Sequence, residues 1–259
     1  AAALELAAIL ANLGPDDEVI CPAHTYCASA YPFARHGVRL RWADIDRDTF
    51  VVSTDSVRSL ITDRTRVIVA VHLYGLQADT RELRAVADDC GALLVEDCAQ
   101  SIGASLDGQP AGAAGDFAVF SFQSHKNIST LGEGGMLTVR DPELAKHVPG
   151  LRHNGHRPFE RNDVRFWHPA MSNVGVDFPG VWPHNFCMSE PQAALGSVLL
   201  DRVADINDIR RRRYYKALAT LRQYPELVFQ TIPEGRISAH HLLPFRYDGL
   251  AFRANNHDF

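Results

Sequence analysis

The feature that most restricts the fold is an uninterrupted apolar run, Val67-Ile68-Val69-Ala70-Val71, which offers no polar residue to either face of a strand. A strand with one face in water alternates between apolar and polar residues, so this run predicts a strand that is covered on both faces. Helical patterns over residues 54–62 and 80–90 separate similar short runs, which lie at residues 18–22, 38–44, 92–95, 117–122 and 135–139. Alternating strands and helices predict an α/β fold, in which a mostly parallel sheet is wrapped by helices.

Composition and charge exclude several classes of protein. The 259 residues are 46% hydrophobic, which is enough for one large domain or for one and a fraction. The formal net charge is −5 and no basic stripe occurs, so neither nucleic acid nor an anionic membrane is an expected partner. No apolar stretch has the length of a membrane-spanning helix.

Cysteine and histidine usage predicts a reduced protein without a metal centre. The five cysteines form no CxxC pair and have no regular spacing, which is typical of free thiols in a cytoplasmic protein. The twelve histidines match no metal-ligand template. We therefore expect a cytoplasmic chain with no metal site.

A lysine and an upstream acid give the clearest chemical signal. Lys126 follows a strand pattern in the segment Phe-Ser-Phe-Gln-Ser-His-Lys-Asn, and the turn Gly132-Glu133-Gly134-Gly135 comes soon after it. Twenty-nine residues earlier, Asp97 lies in Val95-Glu96-Asp97-Cys98-Ala99-Gln100. Pyridoxal phosphate (PLP) chemistry requires such a pair, because a lysine amine forms a Schiff base with the aldehyde and an acid keeps the pyridine nitrogen protonated. The pair therefore indicates a PLP enzyme.

These segments resemble those of the DegT/DnrJ/EryC1/StrS family of PLP-dependent sugar aminotransferases. The similarity extends over nearly the whole chain and includes residues 2–4, 14–20, 72–75 and 188–196. The resemblance implies PLP as the cofactor and a fold type I PLP-transferase, with a large cofactor-binding domain and a small C-terminal α/β domain.

The resemblance assigns roles to three residues around the reactive end of the cofactor. Lys126 is expected to form the Schiff base and then to act as general base and acid in a 1,3-proton shift. Burial would lower the pKa of its amine, which suits the second role. Asp97 matches the acid that pairs with the pyridinium, and Gln100 matches the glutamine that contacts the 3-oxygen side of the ring.

Three further residues are implied by the resemblance as cofactor-binding. Tyr26 fits the aromatic residue that stacks on the pyridine ring, and Ser121 matches the serine that donates to the phosphate. Asn185 matches an asparagine that reaches the phosphate of the neighbouring subunit, so a homodimer with shared active sites is expected. Many members carry Tyr-Arg where this chain has Phe186-Cys187, so any contact made by that arginine is in doubt.

The expected domains are a large PLP-binding domain at residues 1–200 and, at residues 201–259, a linking helix with part of the small domain. A helical pattern with a single early proline, from residue 189 to about residue 224, supports one long linking helix. The N-terminus is expected to be truncated, because family members have a Gly-Thr pair before the residues that match Ala2-Ala3-Leu4.

The expected function is transfer of an amino group from glutamate or glutamine to a nucleotide-linked keto sugar, in amino-sugar biosynthesis. Cyclitol ketones are an alternative substrate. A sugar dehydratase is an alternative activity, since family dehydratases carry histidine in place of the lysine and His125 adjoins Lys126. An inactive PLP-fold binding module is the third alternative.

Overall fold

The computed structural model describes residues 1–156, 174–175 and 181–248. In chain order the strands are β1 (Glu18–Pro22), β2 (Arg39–Ala43), β3 (Thr65–Val71), β4 (Leu93–Asp97), β5 (Ser105–Leu106), β6 (Gln109–Pro110), β7 (Phe117–Ser121), β8 (Gly135–Val139), β9 (Leu227–Phe229), β10 (Arg236–Ile237) and β11 (Phe245–Tyr247). Six of them form the main sheet, in the order β2-β1-β3-β4-β7-β8.

The main sheet is parallel except at one edge. Strands β2, β1, β3, β4 and β7 pair in parallel, and β8 pairs antiparallel to β7. The register sets Asp97 between Val71 on β3 and Val119 on β7. The carboxyl ends of three neighbouring strands therefore meet beside Asp97, and the predicted mostly parallel sheet is confirmed.

Helices cover this sheet. They are α1 (Ala2–Leu10), α2 (Tyr31–Ala34), α3 (Thr54–Leu60), α4 (Thr80–Cys90), α5 (Pro142–Ala145), α6 (Val148–Arg152), α7 (Glu190–Asp201) and α8 (Val203–Leu221), with 3-10 turns at Cys27–Ser29 and Leu73–Gly75. Helix α1 packs on β7 and β8, and α4 packs on β3 and β4. The predicted wrapping of the sheet by helices is therefore confirmed.

Helix α4 shows how the sequence sets one of these elements. The Asp79 carboxylate accepts a hydrogen bond from the backbone N–H of Glu82 at 3.2 Å, which caps the first turn. Gly91 ends the helix in the left-handed conformation, with a φ of 71°. Leu83 and Val86 are buried, so the face of the helix that carries them packs into the core beside the apolar strand β3.

Strand predictions agree closely with the structure at several elements. The runs predicted at residues 18–22 and 135–139 are β1 and β8, and the helix predicted at residues 80–90 is α4. The run that begins at Val67 belongs to β3, and all five of its apolar residues are buried. Both faces of this strand are therefore covered, as the absence of alternation predicts.

The single long helix expected after residue 189 is wrong. Two helices, α7 and α8, occupy this region, and Arg202 between them has a non-helical backbone, with φ of −102° and ψ of 4°. No glycine or proline marks the break. The sequence pattern therefore predicts the helical content but not the interruption.

The C-terminal strands join two different partners. Strand β10 pairs antiparallel to β5, which precedes β7 in the chain, whereas β11 pairs with β9. The division of the chain into domains at residue 200 stays a prediction. Among the residues that the structure describes, no helix is both long enough and apolar enough to cross a membrane.

Candidate cofactor-binding site

A cavity of about 460 Å³ opens at the carboxyl ends of β1, β3, β4 and β7. Ligands of open parallel sheets bind at this edge, because the loops that leave the strand ends converge there. Five of the six predicted site residues line this cavity: Tyr26, Asp97, Gln100, Ser121 and Lys126. The fold thus brings together residues that are spread over about a hundred positions of the sequence. The cavity volume suits a cofactor of PLP's size.

Asp97 is held as a buried hydrogen-bond acceptor at the end of β4. Asp97 is only 6% exposed. The hydroxyl of Ser29 donates to Oδ2 at 2.7 Å, and the backbone N–H of Ala99 donates to Oδ1 at 3.0 Å. Hydrogen bonds reach both oxygens, so the carboxyl group is held in a fixed orientation at the edge of the cavity.

Ser29 was not predicted as a site residue, yet it is the side chain that fixes Asp97. Its Oγ lies 2.8 Å from Oγ1 of Thr25. Because Ser29 gives its only hydroxyl proton to the Asp97 carboxylate, Thr25 must be the donor in this second bond. The two hydroxyls therefore form a directed chain that ends on Asp97.

Lys126 lies in the turn that follows β7, where its backbone N–H donates to the carbonyl of Gln123 at 2.8 Å. Burial lowers the pKa of its amine, while the negative charges of Asp97 and Glu133 act in the opposite direction. The net effect is a lowered pKa, which increases the fraction of free amine at neutral pH. Only the free amine is nucleophilic, so this environment suits a reactive lysine.

Gln100 has a fixed orientation. Its Oε1 accepts a hydrogen bond from the backbone N–H of Tyr74 at 2.7 Å. Tyr74 is a non-glycine residue with a φ of 63°, a left-handed conformation that costs energy and persists only where the surroundings impose it. Because the oxygen of Gln100 is engaged, its amide NH₂ group is the part available to a ligand in the cavity, and this group can donate to a ring oxygen.

Tyr26 and Ser121 have polar or aromatic groups available to a ligand. Tyr26 is 71% exposed and immediately precedes the 3-10 turn after β1, so its ring is accessible to a planar ligand. The Oγ of Ser121 accepts from the backbone N–H of Gln123 at 3.4 Å, so its hydroxyl proton remains available to a phosphate oxygen.

The N-terminus of α1 also lines the cavity, through Ala1, Ala3 and Leu4. The first amides of a helix have no partner within the helix, and no side chain caps this one. Such a terminus attracts an anion, so it can share the phosphate with Ser121.

Asn185 is the one predicted site residue that the structure does not bring to this cavity. Residue 185 pairs with His153 in an isolated antiparallel bridge, and it is not among the described residues that line the cavity. Its expected role, contact with a neighbouring subunit, stays a prediction.

A buried cluster of His72, Glu96 and Cys98 has the atom types of a metal site. Nδ1 of His72 accepts from the backbone N–H of Ala78 at 3.2 Å, so Nε2 carries the proton and donates to Glu96 at 2.8 Å. Burial and the nearby carboxylates raise the pKa of the Cys98 thiol well above its usual range. The Glu96 carboxylate also accepts from three backbone amides, those of Gly112, Ala114 and Gly115.

This cluster therefore favours a structural role over metal binding. Burial acts to raise the pKa of Glu96, but the bonds from His72 and the loop amides outweigh it and lower the pKa. The resulting anion fixes the loop before β7 to the strand that ends in Asp97. The absence of a metal centre stays a prediction.

A mostly parallel sheet with a lysine and a hydrogen-bonded acid at its carboxyl edge defines the class of fold type I PLP-dependent enzymes. The chain belongs to the DegT/DnrJ/EryC1/StrS aminotransferase family, whose family model matches residues 1–256. The predicted family resemblance and fold class are confirmed. Pyridoxal phosphate is the cofactor of this family.

Some curated relatives carry the names of aminotransferases, and others are named as a pleiotropic regulatory protein or a sensory transduction protein. The chain is 36% identical, over 210 residues, to UDP-N-acetyl-3-dehydro-alpha-D-glucosamine 3-aminotransferase of Acidithiobacillus ferrooxidans, a match covering 81% of this chain and 52% of the relative. It is 38% identical, over 210 residues, to L-glutamine:2-deoxy-scyllo-inosose aminotransferase of Streptomyces kanamyceticus, covering 81% and 48% of the two chains. The chain thus spans about half the length of the curated relatives it matches.

Solved structures share the fold. The crystal structure of S. venezuelae DesV in complex with a ketimine intermediate superposes with a TM-score of 0.82 at 32% identity. The superposition covers 95% of this chain and 62% of DesV. The fold described here therefore corresponds to a large part of an aminotransferase-type structure and not to an isolated motif.

Proposed function

We propose that the protein is a PLP-dependent aminotransferase that moves an amino group from glutamate or glutamine to a nucleotide-linked keto sugar. The observation that carries this proposal is the meeting of Lys126, Asp97 and Gln100 in one cavity at the carboxyl edge of the sheet. A lysine with a lowered pKa in the same cavity as a buried acid favours an active enzyme over an inactive binding module.

The cavity offers a complementary group for each part of PLP. Asp97 would face the ring nitrogen, Gln100 the 3-oxygen, and Tyr26 one face of the ring. Ser121 and the N-terminus of α1 would hold the phosphate. When bound, PLP supplies an electrophilic aldehyde and a protonated ring that accepts electrons from the substrate carbon.

The chain's own residues would then move protons. The lowered pKa of Lys126 would let its amine take a proton from one carbon and return one to a second carbon two atoms away, which is the 1,3-proton shift, at neutral pH. Asp97 is held in one orientation by hydrogen bonds from Ser29 and Ala99, so it would pair with the ring nitrogen while Lys126 moves the proton. This division of roles is what transamination requires.

The relatives support the substrate class. One relative's name specifies a UDP-linked 3-dehydro sugar, and the other specifies glutamine as donor and a cyclitol ketone as acceptor. A keto group is common to both acceptors. We infer a keto sugar as the acceptor here, with a cyclitol ketone as the second candidate, and glutamate or glutamine as donor.

Dehydration is the rival activity that the structure addresses most directly. His125 also lines the cavity, and its backbone N–H donates to the side chain of Gln123 at 2.8 Å. However, Lys126 retains the amine that amino transfer needs. We therefore favour transamination.

The proposed function is tested with full-length protein supplied with PLP, glutamine or glutamate, and a panel of nucleotide-linked keto sugars and cyclitol ketones. We expect mass spectrometry to detect an amino product, with one equivalent of 2-oxo acid formed per amine. A product that has lost water without gaining nitrogen would indicate dehydration instead. PLP binding without either reaction, across both donors, would support the inactive binding module.

We further infer a homodimer with shared sites, because Asn185 lies outside the cavity lining of its own chain while its family counterpart serves a phosphate. The test mixes Lys126→Ala chains with Asn185→Ala chains, each poorly active alone. In a heterodimer one site carries both changes and the other carries neither. Activity is expected to return towards one working site per dimer.

The control for this experiment is a mixture in which both chains carry the same substitution. Such a mixture should remain at the activity of the single variant. If heterodimers form, as shown by differently tagged chains, and no activity returns, Asn185 acts within its own subunit.

A further inference from the structure

Asn127, the residue after Lys126, is buried, and both its amide nitrogen and its amide oxygen form hydrogen bonds, to α8 and to residues 239–241. Its amide nitrogen donates to the carbonyl of Ala239 and to Oδ1 of Asn207 on α8, both at 2.8 Å. Its Oδ1 lies 3.0 Å from Nδ1 of His241. Because this oxygen can only accept, Nδ1 of His241 must be the donor.

Residues 239–241, called the strap here, also form hydrogen bonds to the turn at Tyr74 and Gly75. Backbone N–H groups of the strap donate to the carbonyls of Gly75 at 2.9 Å and Tyr74 at 3.1 Å. The guanidinium of Arg210 on α8 donates to two strap carbonyls at 3.1 and 2.5 Å. Tyr74 in turn orients Gln100, so the strap touches the supports of two residues that line the cavity.

Close approach between the strap and the turn at Gly75 leaves little freedom for either. A Cβ at Gly75 would lie 2.8 Å from backbone nitrogens of His240 and His241, and the φ of Gly75 is 104°. Both the space and the conformation require glycine at this position. The strap is therefore held at a fixed distance from the His72–Gly75 segment.

His241 is neutral under ordinary conditions. Burial, with the positive charges of Lys126 and Arg210, lowers the pKa of its imidazole to about 4. A neutral ring with its proton on Nδ1 can donate to Asn127 without placing a second positive charge beside Lys126. The charges that face this ring come from the Lys126 turn and from α8.

We propose that His241 and Asn127 are positioning residues for Lys126, acting through the hydrogen bond between Nδ1 of His241 and Oδ1 of Asn127. This bond fixes the backbone of the residue next to the reactive lysine and ties it to a strap 112 or more residues away in the chain. The strap thereby links the C-terminal part of the described chain to the geometry of the cofactor site. The proposal rests on the proposed role of Lys126.

Two substitutions of His241 separate this bond from simple filling of space. Asn places an N–H group near the position of the imidazole Nδ1, whereas Leu fills a similar volume but cannot donate. We expect His241→Leu to weaken PLP binding about tenfold, because a buried acceptor on Asn127 loses its partner. His241→Asn is expected to remain within about threefold of the native affinity.

A second measurement needs no cofactor. The reactivity of Lys126 towards an amine-reactive reagent, followed by peptide mass spectrometry against pH, reports the position and ionisation of its amine. His241→Leu should shift this pH profile, and His241→Asn should not. The thermal unfolding of each cofactor-free variant identifies any that fails to fold.

These outcomes test the positioning role of His241 and Asn127 separately from the proposed function. If native protein binds PLP and folded His241→Leu matches it in both affinity and Lys126 reactivity, the proposal is wrong. Equal impairment of the Asn and Leu variants would also contradict it, because shape and not the hydrogen bond would then matter. If native protein itself fails to attach PLP at Lys126, the proposed function fails first.

Discussion

Replacement of Lys126 by alanine is expected to abolish amino transfer by the full-length protein. Its side-chain amine lines the same cavity as Asp97, and its lowered pKa keeps it available as a nucleophile and a base. Alanine supplies neither function. We expect loss of activity by at least about a thousandfold, which corresponds to roughly 4 kcal/mol of lost transition-state stabilisation.

Lys126→Arg is the matched variant for this experiment. Arginine keeps length and positive charge, but its guanidinium stays protonated and cannot attack an aldehyde. Both variants should therefore fail, while a charge-only role for Lys126 would leave the arginine variant active. His125→Ala is the neighbouring control. It should retain amino transfer, because His125 is not the residue proposed to attach the cofactor.

The measurement has two parts. Amino product is quantified by mass spectrometry, and borohydride treatment followed by peptide mapping locates PLP attached to the chain. Native protein should carry PLP on the peptide that contains Lys126. An active Lys126→Ala protein, or PLP trapped on a different lysine, would overturn the assignment.

The sequence predicts the site better than it predicts the contacts that support the site. Asp97 ends a short apolar strand and Lys126 follows another, and parallel strands bring such positions to one edge of the sheet. Tyr26, Gln100 and Ser121 are implied by the family resemblance and not by local pattern alone, and they line the same cavity. The contacts of these five residues with the cofactor stay predictions.

The supporting contacts could not be predicted, because they join residues far apart in the chain. Ser29 meets Asp97 across 68 positions, and His241 meets Asn127 across 114. A lone serine in a loop and a histidine in a C-terminal segment have no local signal of such roles. Only the fold brings these pairs together, so one sequence without its structure assigns them no function.

The ends of the helices likewise differ in whether local sequence predicts them. Asp79 and Gly91 predict both ends of α4, because capping is a local interaction. The break between α7 and α8 at Arg202 has no local signal. Asn207 and Arg210, soon after this break, bond to the carbonyls of Ile102 and of the strap, so tertiary contacts fix the direction of α8.

Replacement of Asp97 by asparagine is expected to reduce amino transfer at least about a hundredfold, roughly 3 kcal/mol, in the full-length protein. Asparagine preserves the shape but removes the negative charge that holds a protonated ring nitrogen. Without that proton the ring accepts electrons poorly, so the proton shift at the substrate carbon becomes slow. PLP should still bind, more weakly, because Ser121, Tyr26 and Lys126 are unchanged.

Ser29 gives this prediction a graded control. Ser29→Ala removes the hydroxyl that donates to Asp97 at 2.7 Å but leaves the carboxylate in place. We expect a smaller loss than in Asp97→Asn, about tenfold, because one charge-assisted hydrogen bond is lost and the charge remains. Ser29→Thr, which retains the hydroxyl, should recover most of the rate.

Nitrogen-15 NMR of ring-labelled PLP provides the direct readout: the ring nitrogen should be protonated in native protein, partly so in Ser29→Ala, and neutral in Asp97→Asn. A near-native rate with a protonated ring in Asp97→Asn would mean that another group holds the proton, and the role of Asp97 would be wrong.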